Sequence, residues 1–403
     1  MTLEQVLAVR PSPGHPRAYQ FPGFQRSVLR SGLPVITVPI AGRPLVSASL
    51  VVRVGSGDEP QDRAGATVLA ARAMTEGTER YPGVELIEAA ERLGATLNVE
   101  ATWDAFVGAV EVAAARLPAA LDLLAELVER PTFPPDDVAR LRDERLNDLM
   151  QVKADPRRRA ERVFAETIYR PTSPYSRPAG GTEETVPGLS SEVLRELHGS
   201  LLAPDRAVLV VGGDLEGLDV PALAEQAFST LVARGHGGSA SSPPPAADSA
   251  LDGRVVRLFH RPGSVQTELR IGHVGLPRRV PDFHPVSVMS AILGGLFNSR
   301  LQMNLREEKG YTYGIGAGFD MRRGAGPFSV RTAVQTPATV PAVRAILAEL
   351  DRIRDAKVTD AELAAARDYL VGVFPLRFET IDDSAPESGG EGGSAEAGER
   401  ACP

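Results

Sequence analysis

The sequence contains a single cysteine, Cys402, among its 403 residues. One cysteine can neither close a disulfide within the chain nor build a multi-cysteine metal site, so both are excluded. The sequence also lacks any run of the roughly 18 apolar residues that a membrane-spanning helix needs, which predicts no membrane partner. Residues 1–30 hold four prolines and no apolar core of signal-peptide length. The compartment is therefore left unknown, with the cytoplasm as the default and the periplasm as the alternative.

An excess of basic charge is missing as well. Lysine and arginine number 44 against 52 acidic residues, which gives a net charge of −8, and the two signs are interspersed. Because nucleic-acid-binding proteins carry a basic patch or stripe, this balance predicts no nucleic-acid partner. The hydrophobic and charged fractions, 43% and 24%, are ordinary for a globular protein. A chain of this length can form two domains, each with its own core.

Two halves of the sequence resemble each other. Leu117-Pro118-Ala119 precedes one pair of long helical patterns, and Val340-Pro341-Ala342 precedes another. Between them lies a linker, 234–252, that is rich in Gly, Ser and Ala and holds three consecutive prolines. Self-similarity of this kind indicates duplication. We predict an α+β fold with two duplicated domains, each a mostly antiparallel sheet covered by helices, like one half of a clamshell.

The predicted domain plan has five parts. They are an amino-terminal arm (1–25), a first domain (26–233), the linker (234–252), a second domain (253–380) and a tail (381–403). After Thr380 the composition changes to Gly, Ser, Glu and Ala, which is typical of disorder. The family resemblance described below implies further helices and a last strand after this point, so we expect the second domain to be truncated.

Periodicity predicts the secondary structure of the first domain. The predicted strands are 34–39, 45–54, 96–102, 105–112 and 207–211. The predicted helices are 64–74, 84–93, 117–128, 136–152 and 220–231. The second domain is expected to begin its own β/α unit at Val255.

Residues 292–319 are the most informative stretch. A glycine pair, Gly294 and Gly295, is followed by a helical pattern that contains Arg306, and Tyr313 then lies in a strand-like segment. Taken alone, this is an amphipathic helix end with Gly310 as its cap, followed by aromatic residues that pack on a sheet.

The order of these features resembles the insulinase/pitrilysin-like (inverzincin) zinc metallopeptidase family. The matching elements are Gln266, the Leu293-Gly294-Gly295 triplet, Asn298-Ser299-Arg300-Leu301, Arg306, Gly310, Tyr313 and Gly326-Pro327-Phe328. In that family an Arg and a Tyr seven residues apart reach the active site, which here implies Arg306 and Tyr313. A phenol can donate to the oxyanion that forms when a peptide carbonyl is attacked, and a guanidinium can hold a carbonyl or carboxylate through two parallel bonds. The resemblance implies substrate binding at Gly294 and Gly295, and a simple loop is the equal alternative for that pair.

The zinc motif of the resembling family, His-x-x-Glu-His, falls on Val68, Ala71 and Arg72 here. Valine and alanine have no lone pair for a metal, and Arg72 stays protonated and would repel zinc. The third zinc ligand of that family falls at 147–149, where only Asp148 carries a carboxylate. We therefore expect no metal or cofactor on this chain, and zinc only in a partner subunit.

The histidines do not replace that motif. None of the six (His15, His198, His236, His260, His273 and His284) lies three or four residues from another. A site assembled in space from His260, His273 and His284 is the remaining metal hypothesis.

The resemblance thus implies a non-catalytic, zinc-free subunit of a heterodimeric metallopeptidase. It would close a chamber with a zinc-bearing homologous partner and present Arg306 and Tyr313 to unfolded peptides. Three alternatives remain open. They are an active zinc peptidase on its own, a structural or assembly subunit of the same fold, and a degenerate product that does not fold stably.

Overall fold

Six strands of the first half form one sheet. The computed structural model describes residues 19–229, 231 and 244–378. The strands are β1 (Gln25–Val28), β2 (Pro34–Pro39), β3 (Leu45–Val52), β4 (Thr96–Ala101), β5 (Phe106–Ala113) and β6 (Ala207–Gly213). They lie in the order β1-β2-β6-β3-β5-β4, and only the β2–β6 pairing is parallel.

Helices of the first half accompany this sheet, and most of them contribute to its buried core. They are α1 (Ala66–Met74), α2 (Val84–Leu93), α3 (Leu117–Glu129), α4 (Pro135–Ala154), α5 (Pro156–Ile168), α6 (Ser191–Leu201) and α7 (Val220–Ala227). Local chemistry sets their ends. Helix α2 stops at Gly94, which adopts the left-handed conformation with φ 61°, and α5 starts where the Asp155 side chain accepts bonds from two backbone N–H groups. Alternate residues of β3 and β5 meet leucines of α3 in one buried core.

A second sheet of three antiparallel strands follows. Its strands are β7 (Gln266–Val274), β8 (Ile315–Phe319) and β9 (Pro327–Gln335), in the order β7-β9-β8. Its helices are α8 (Phe283–Ser290), α9 (Thr339–Asp355) and α10 (Asp360–Val373), with π-helical segments at Ala291–Gly295 and Gln302–Glu308. Leu293, Leu305 and Ile346 belong to its own buried cluster.

The two sheets repeat one topology. In the first, β5 lies between β3 and β4, and in the second, β9 lies between β7 and β8 in the same sequential order. The turn before the matching strand repeats as well, because Gly310 has φ 62° and Gly94 has φ 61°. The predicted α+β fold with two duplicated halves is confirmed.

The predicted elements of the first half agree with the structure to within a few residues. The prediction for Val255 was wrong: residues 254–260 form no strand and are exposed, and the first strand of the second half begins at Gln266. Parts of the predicted arm (1–18) and linker (234–243), and the whole of the predicted tail (381–403), lie outside the described residues. The predicted domain boundaries stay predictions.

The halves pack against each other through polar contacts. Arg270 of β7 pairs with Glu161 of α5 at 2.8 Å, and Arg323 pairs with Asp58. The Tyr175 hydroxyl accepts a bond from the Gly324 N–H at 3.1 Å. Burial raises the pKa of that phenol to about 12, so it stays protonated in the physiological range. Among the helices that the structure describes, none is both long and apolar enough to cross a membrane.

Candidate functional site

Arg306 and Tyr313 lie against each other on the second half. Arg306 belongs to the π-helical segment Gln302–Glu308, and Tyr313 lies shortly before β8. The guanidinium carbon of Arg306 is 5.4 Å from the ring centroid of Tyr313 and 4.7 Å from that of Phe297. A guanidinium over an aromatic face is held by electrostatic attraction. The structure thus brings together the pair named from the sequence and adds Phe297, which sequence reasoning missed.

The turn between them is fixed by backbone geometry. Gly310 takes the left-handed conformation that glycine adopts at little cost, and the Tyr311 N–H donates to the carbonyl of Leu305 at 2.9 Å. Leu305 is fully buried, so this turn is anchored in the core of the second half. The position of Tyr313 therefore depends on buried structure, although the residue itself is on the surface.

A threonine pair holds the segment after this turn. The Thr312 hydroxyl lies 2.7 Å from the carbonyl of Ala333 and 2.8 Å from the Thr332 hydroxyl. It also accepts a bond from the Gly314 N–H at 3.1 Å. Tyr313, between these two fixed residues, is 89% exposed. The arrangement presents a phenol and a guanidinium together at the protein surface.

The glycine pair has a packing role that the structure makes visible. A Cβ on Gly294 would lie 2.5 Å from the backbone nitrogen of Ala317, so only glycine lets this segment approach β8. Gly295 is exposed, and a Cβ there would meet the carbonyl of Ser290 at 3.3 Å. Their predicted role in substrate binding stays a prediction.

A cavity of about 440 Å³ lies beside the same π-helical segment. Arg300 is buried at its wall and holds Glu362 of α10 by two bonds, Nε to Oε1 at 2.6 Å and Nη2 to Oε2 at 3.0 Å. These bonds from Arg300 keep the pKa of Glu362 at about 2, well below its usual value. The ion pair ties the segment that carries Arg306 to the start of α10.

Helix α1 carries the positions that correspond to the zinc motif. Val68 is half-buried, Ala71 is buried and Arg72 is exposed. The helix start is held by Glu59, whose carboxylate accepts bonds from the N–H groups of Gly65 and Thr67. Burial raises the pKa of Glu59, and the bonds from Thr67 and Gly65 oppose that rise. The carboxylate of Glu59 thus caps the start of α1, and the exposed Arg72 places a positive charge near the other end of the helix.

Arg72 contacts a carboxylate that sequence reasoning did not single out. Its Nη2 lies 3.0 Å from Oε2 of Glu144 on α4, and Glu144 also pairs with Arg140 at 2.8 Å. Asp148, the predicted neighbour of the third ligand position, pairs instead with Arg145 and Arg158. Val68 and Ala71 offer no donor atom, and the guanidinium of Arg72 is a fixed positive charge. The side chains at this place do not fit a zinc ion.

The histidines are dispersed. His198 is buried with its Nε2 2.7 Å from the carbonyl of Val128, whereas His260, His273 and His284 are exposed. Within the described ranges, no three His, Cys, Asp or Glu side chains form a group that could hold a metal ion. The three-histidine hypothesis is therefore not supported by the geometry, and His15 and His236 lie outside the described residues.

Two family models match most of the chain. The model described as insulinase (peptidase family M16) matches residues 35–182, and the model described as peptidase M16 inactive domain matches residues 188–370. The second match starts before α6 and β6, and β6 is a strand of the first sheet. The boundary between the two family models is therefore not the boundary between the two sheets.

Curated relatives carry two kinds of name. The chain is 26% identical over 364 residues to an uncharacterised zinc protease of Mycobacterium leprae, covering 90% of this chain and 81% of that protein. It is 24% identical over 375 residues to the non-peptidase homologue YmxG of Helicobacter pylori, covering 90% and 83%. Relatives of similar identity thus carry both a protease name and a non-peptidase name.

Solved structures share the fold. A peptidase M16 inactive domain from Pseudomonas fluorescens aligns with a TM-score of 0.79 at 24% identity, covering 92% of this chain and 87% of that chain. A protease from Helicobacter pylori aligns with a TM-score of 0.82 at 19% identity, covering 91% and 88%. Together with the family models, these matches show that the chain belongs to the insulinase family of peptidases and their homologues, peptidase family M16.

Proposed function

We propose that this chain is a zinc-free, non-catalytic subunit of a heterodimeric M16 peptidase. The observation that carries the proposal is the side-chain set on α1, where Val68 and Ala71 offer no ligand and Arg72 pairs with Glu144. A zinc-bearing homologous subunit would supply the metal and the general base. A relative that is named a non-peptidase homologue supports the proposal that this chain is non-catalytic.

In this proposal Arg306 and Tyr313 are contributed to the active site of the partner. The Tyr313 hydroxyl would donate to the oxyanion, an interaction that strengthens as negative charge develops. The Arg306 guanidinium, oriented by the rings of Phe297 and Tyr313, would hold a substrate carbonyl or carboxylate. Both groups are useful in the transition state without any metal on this chain.

The substrates would be unfolded peptides. An extended peptide can add as a strand to a sheet edge, and we place that edge on the zinc-bearing partner. This chain would close the chamber over the bound peptide. A folded substrate could not add as a strand in this way, because its backbone N–H and C=O groups are already hydrogen-bonded within the fold.

The test is to co-purify this chain with a homologous chain that retains His-x-x-Glu-His, and to follow cleavage of an unstructured fluorogenic peptide. We expect no cleavage by this chain alone and cleavage by the pair. Arg306→Ala and Tyr313→Phe should each lower the activity of the pair. The matched controls Arg354→Ala and Tyr369→Phe alter exposed residues of the same two types on α9 and α10 and should leave activity unchanged.

Two outcomes would reject the proposal. Cleavage by this chain alone would make it an active zinc peptidase. If the two-subunit complex stays fully active with both Arg306→Ala and Tyr313→Phe, this chain would be a structural subunit. A purely structural subunit would not need the side chains of Arg306 and Tyr313.

A further inference from the structure

Each half of the molecule buries one glutamate at the same place in its fold. The sequence Leu-Ala-Glu-Leu occurs at 124–127 in α3 and again at 347–350 in α9. Its glutamates, Glu126 and Glu349, are only 6% and 5% exposed. A buried carboxylate destabilises the fold unless it accepts hydrogen bonds, so each of the two side chains needs partners. Those partners differ between the halves.

In the first half a loop closes over Glu126. The carboxylate of Glu126 accepts a bond from the Arg80 N–H at 2.8 Å and a second from Nη1 of Arg130 at 3.4 Å. The loop that carries Arg80 is itself joined to the connection between α3 and α4, because the Glu79 N–H donates to the carbonyl of Arg130 at 3.0 Å. Both oxygens of Glu126 are therefore paired within the protein.

The second half has a cavity at the corresponding place. Among the described residues, no backbone hydrogen bond joins the loop 295–300 to the connection between α9 and α10, 356–359. Glu349 lines the cavity of about 440 Å³ that lies beside this loop. Its Oε1 accepts a bond from Nδ2 of Asn304 at 2.6 Å. Its Oε2 lies 3.6 Å from Nη1 of Arg352, which is too long for a hydrogen bond, and has no other partner in the described part of the chain.

A buried donor at the same cavity is unpaired as well. Arg300 is 8% exposed and uses Nε and Nη2 to hold Glu362, whereas its Nη1 has no hydrogen-bond partner among the described residues. The hydrogen bond to Glu362 raises the pKa of Arg300, and the charge of Glu349 adds to that rise. The two buried groups are thus close enough to interact electrostatically. One unpaired donor and one unpaired acceptor at a single cavity favour a ligand that pairs with both.

The other side chains of the cavity indicate the charge of that ligand. Two arginines and three glutamates line it, which gives the wall a net charge of −1 (Arg300, Arg352, Glu308, Glu349 and Glu362). Of these, Glu308 forms no ion pair with any residue that the structure describes. Ile292, Leu296 and Met303 add apolar surface. The wall therefore suits a molecule with a carboxylate, an ammonium group and a second cation on an apolar stem.

We infer that this cavity binds a free basic α-amino acid, arginine or lysine. Its carboxylate would accept a bond from Nη1 of Arg300, and its ammonium group would donate to Oε2 of Glu349. The side-chain cation would face Glu308, with the methylene groups against the apolar part of the wall. The π-helical segment Gln302–Glu308 forms part of the wall, so the bound amino acid would also order this segment. The inference does not depend on the proposed peptidase role.

The ligand is tested by calorimetric titration of the full chain with L-arginine, in a buffer without other amines. We expect saturable binding of one molecule per chain, and slower hydrogen exchange in residues 300–308 and 360–365 when it is bound. L-Citrulline has nearly the shape of arginine without the side-chain charge, and agmatine lacks the carboxylate. Each should bind at least about tenfold more weakly than L-arginine, because each loses one charge-assisted contact.

A pair of charge variants tests the orientation of the ligand. Glu308→Gln removes the negative charge that the side-chain cation would face, so it should weaken binding of L-arginine about tenfold and leave binding of L-citrulline unchanged. The matched control Glu307→Gln changes the adjacent exposed glutamate, which does not line the cavity, and should bind L-arginine normally.

A pair of size variants tests the location. Ala365→Phe places a ring in the cavity and should abolish binding, whereas Ala364→Phe changes the adjacent alanine, which does not line the cavity, and should bind normally. Both alanines are exposed on α10, so folding should be unaffected. Absence of saturable binding up to about 10 mM L-arginine, equal affinity for L-arginine and L-citrulline, or equal effects of Ala365→Phe and Ala364→Phe would overturn the inference. Arg300 and Glu349 would then be paired by ordered water only.

Discussion

Arg306 stacks on Tyr313 across the turn at Gly310, with 5.4 Å between the guanidinium carbon and the ring centroid. The phenol ring therefore helps to orient the cation, and the two cannot be treated as independent groups. The ring and the hydroxyl of Tyr313 have different uses, the first in stacking and the second in donating a hydrogen bond.

Tyr313→Phe should separate these two uses. Phenylalanine keeps the ring under Arg306 and removes only the hydroxyl, so binding of the peptide should change little. In the active pair we expect kcat to fall by about a hundredfold, the usual effect of losing one oxyanion donor, with KM nearly constant. Steady-state kinetics measure both constants, and Tyr369→Phe is the control. A raised KM at constant kcat would contradict a role for the hydroxyl in the transition state.

Gly294→Ala should destabilise the second half. Its Cβ would lie 2.5 Å from the Ala317 nitrogen and 2.6 Å from the Ala317 Cβ, so the π-helical segment must move away from β8. Overpacking of this kind costs about 1–3 kcal/mol in the free energy of unfolding. The matched control Gly372→Ala lies in α10 with no atom within 4 Å of the added Cβ, and it should be neutral or stabilising by up to about 1 kcal/mol. Urea unfolding of the two variants checks the difference, and equal effects would contradict the packing argument.

The Arg300–Glu362 pair predicts a dependence of stability on acidity. Because Arg300 holds the pKa of Glu362 at about 2, below its unfolded value, the ionised carboxylate stabilises the folded state at neutral pH. That contribution should be complete above the unfolded pKa and should be lost as pH falls from about 4.5 towards 2. Since Glu362 is partly exposed, we expect no more than about 2 kcal/mol.

Unfolding free energies measured at pH 7, 4.5 and 3 test this pair. The wild-type protein should lose stability below pH 4.5, and Glu362→Gln should lose less over the same interval while being less stable at pH 7. Asp351→Asn, at an exposed ion pair of α9, is the control and should follow the wild type. An identical pH profile for Glu362→Gln and wild type would show that this carboxyl does not supply the effect.

Helix α1 should gain a metal site when its two outer motif positions are changed. Val68→His combined with Arg72→His puts two imidazoles one turn apart, near the Glu144 carboxylate that Arg72 now contacts. We expect the double variant to bind one zinc ion and the single variant Arg72→His to bind far more weakly. Adding Glu144→Gln to the double variant should lower its affinity in calorimetry. No zinc binding by the double variant, or no effect of Glu144→Gln, would mean that α1 and α4 are not arranged as a degenerate zinc site.

Much of the first half could be predicted from sequence because its signals are local. The alternation of buried and more exposed residues in β4 and β5, and the glycine that ends α2, are patterns among neighbouring residues. The structure has these elements where the patterns predict them. The strand expected at Val255 failed for a physical reason. Strand propensity expresses a fit to neighbouring strands, and residues 254–260 have none among the described residues.

The candidate site was predicted only in part. Arg306 and Tyr313 could be paired because their spacing matched a known family. Phe297 lies nine residues before Arg306, and its contact depends on how two π-helical segments pack. Glu144 could not be found either, because the contact with Arg72 depends on the packing of α1 against α4 and no local pattern encodes it.

The central claim is that this chain lacks zinc and does not cleave peptides by itself. The most direct measurement is the zinc content of the purified chain by mass spectrometry, combined with its activity on an unstructured fluorogenic peptide in zinc-containing buffer. The account predicts zinc far below one ion per chain and no cleavage above background. One zinc ion per chain together with cleavage that a chelator abolishes would contradict it.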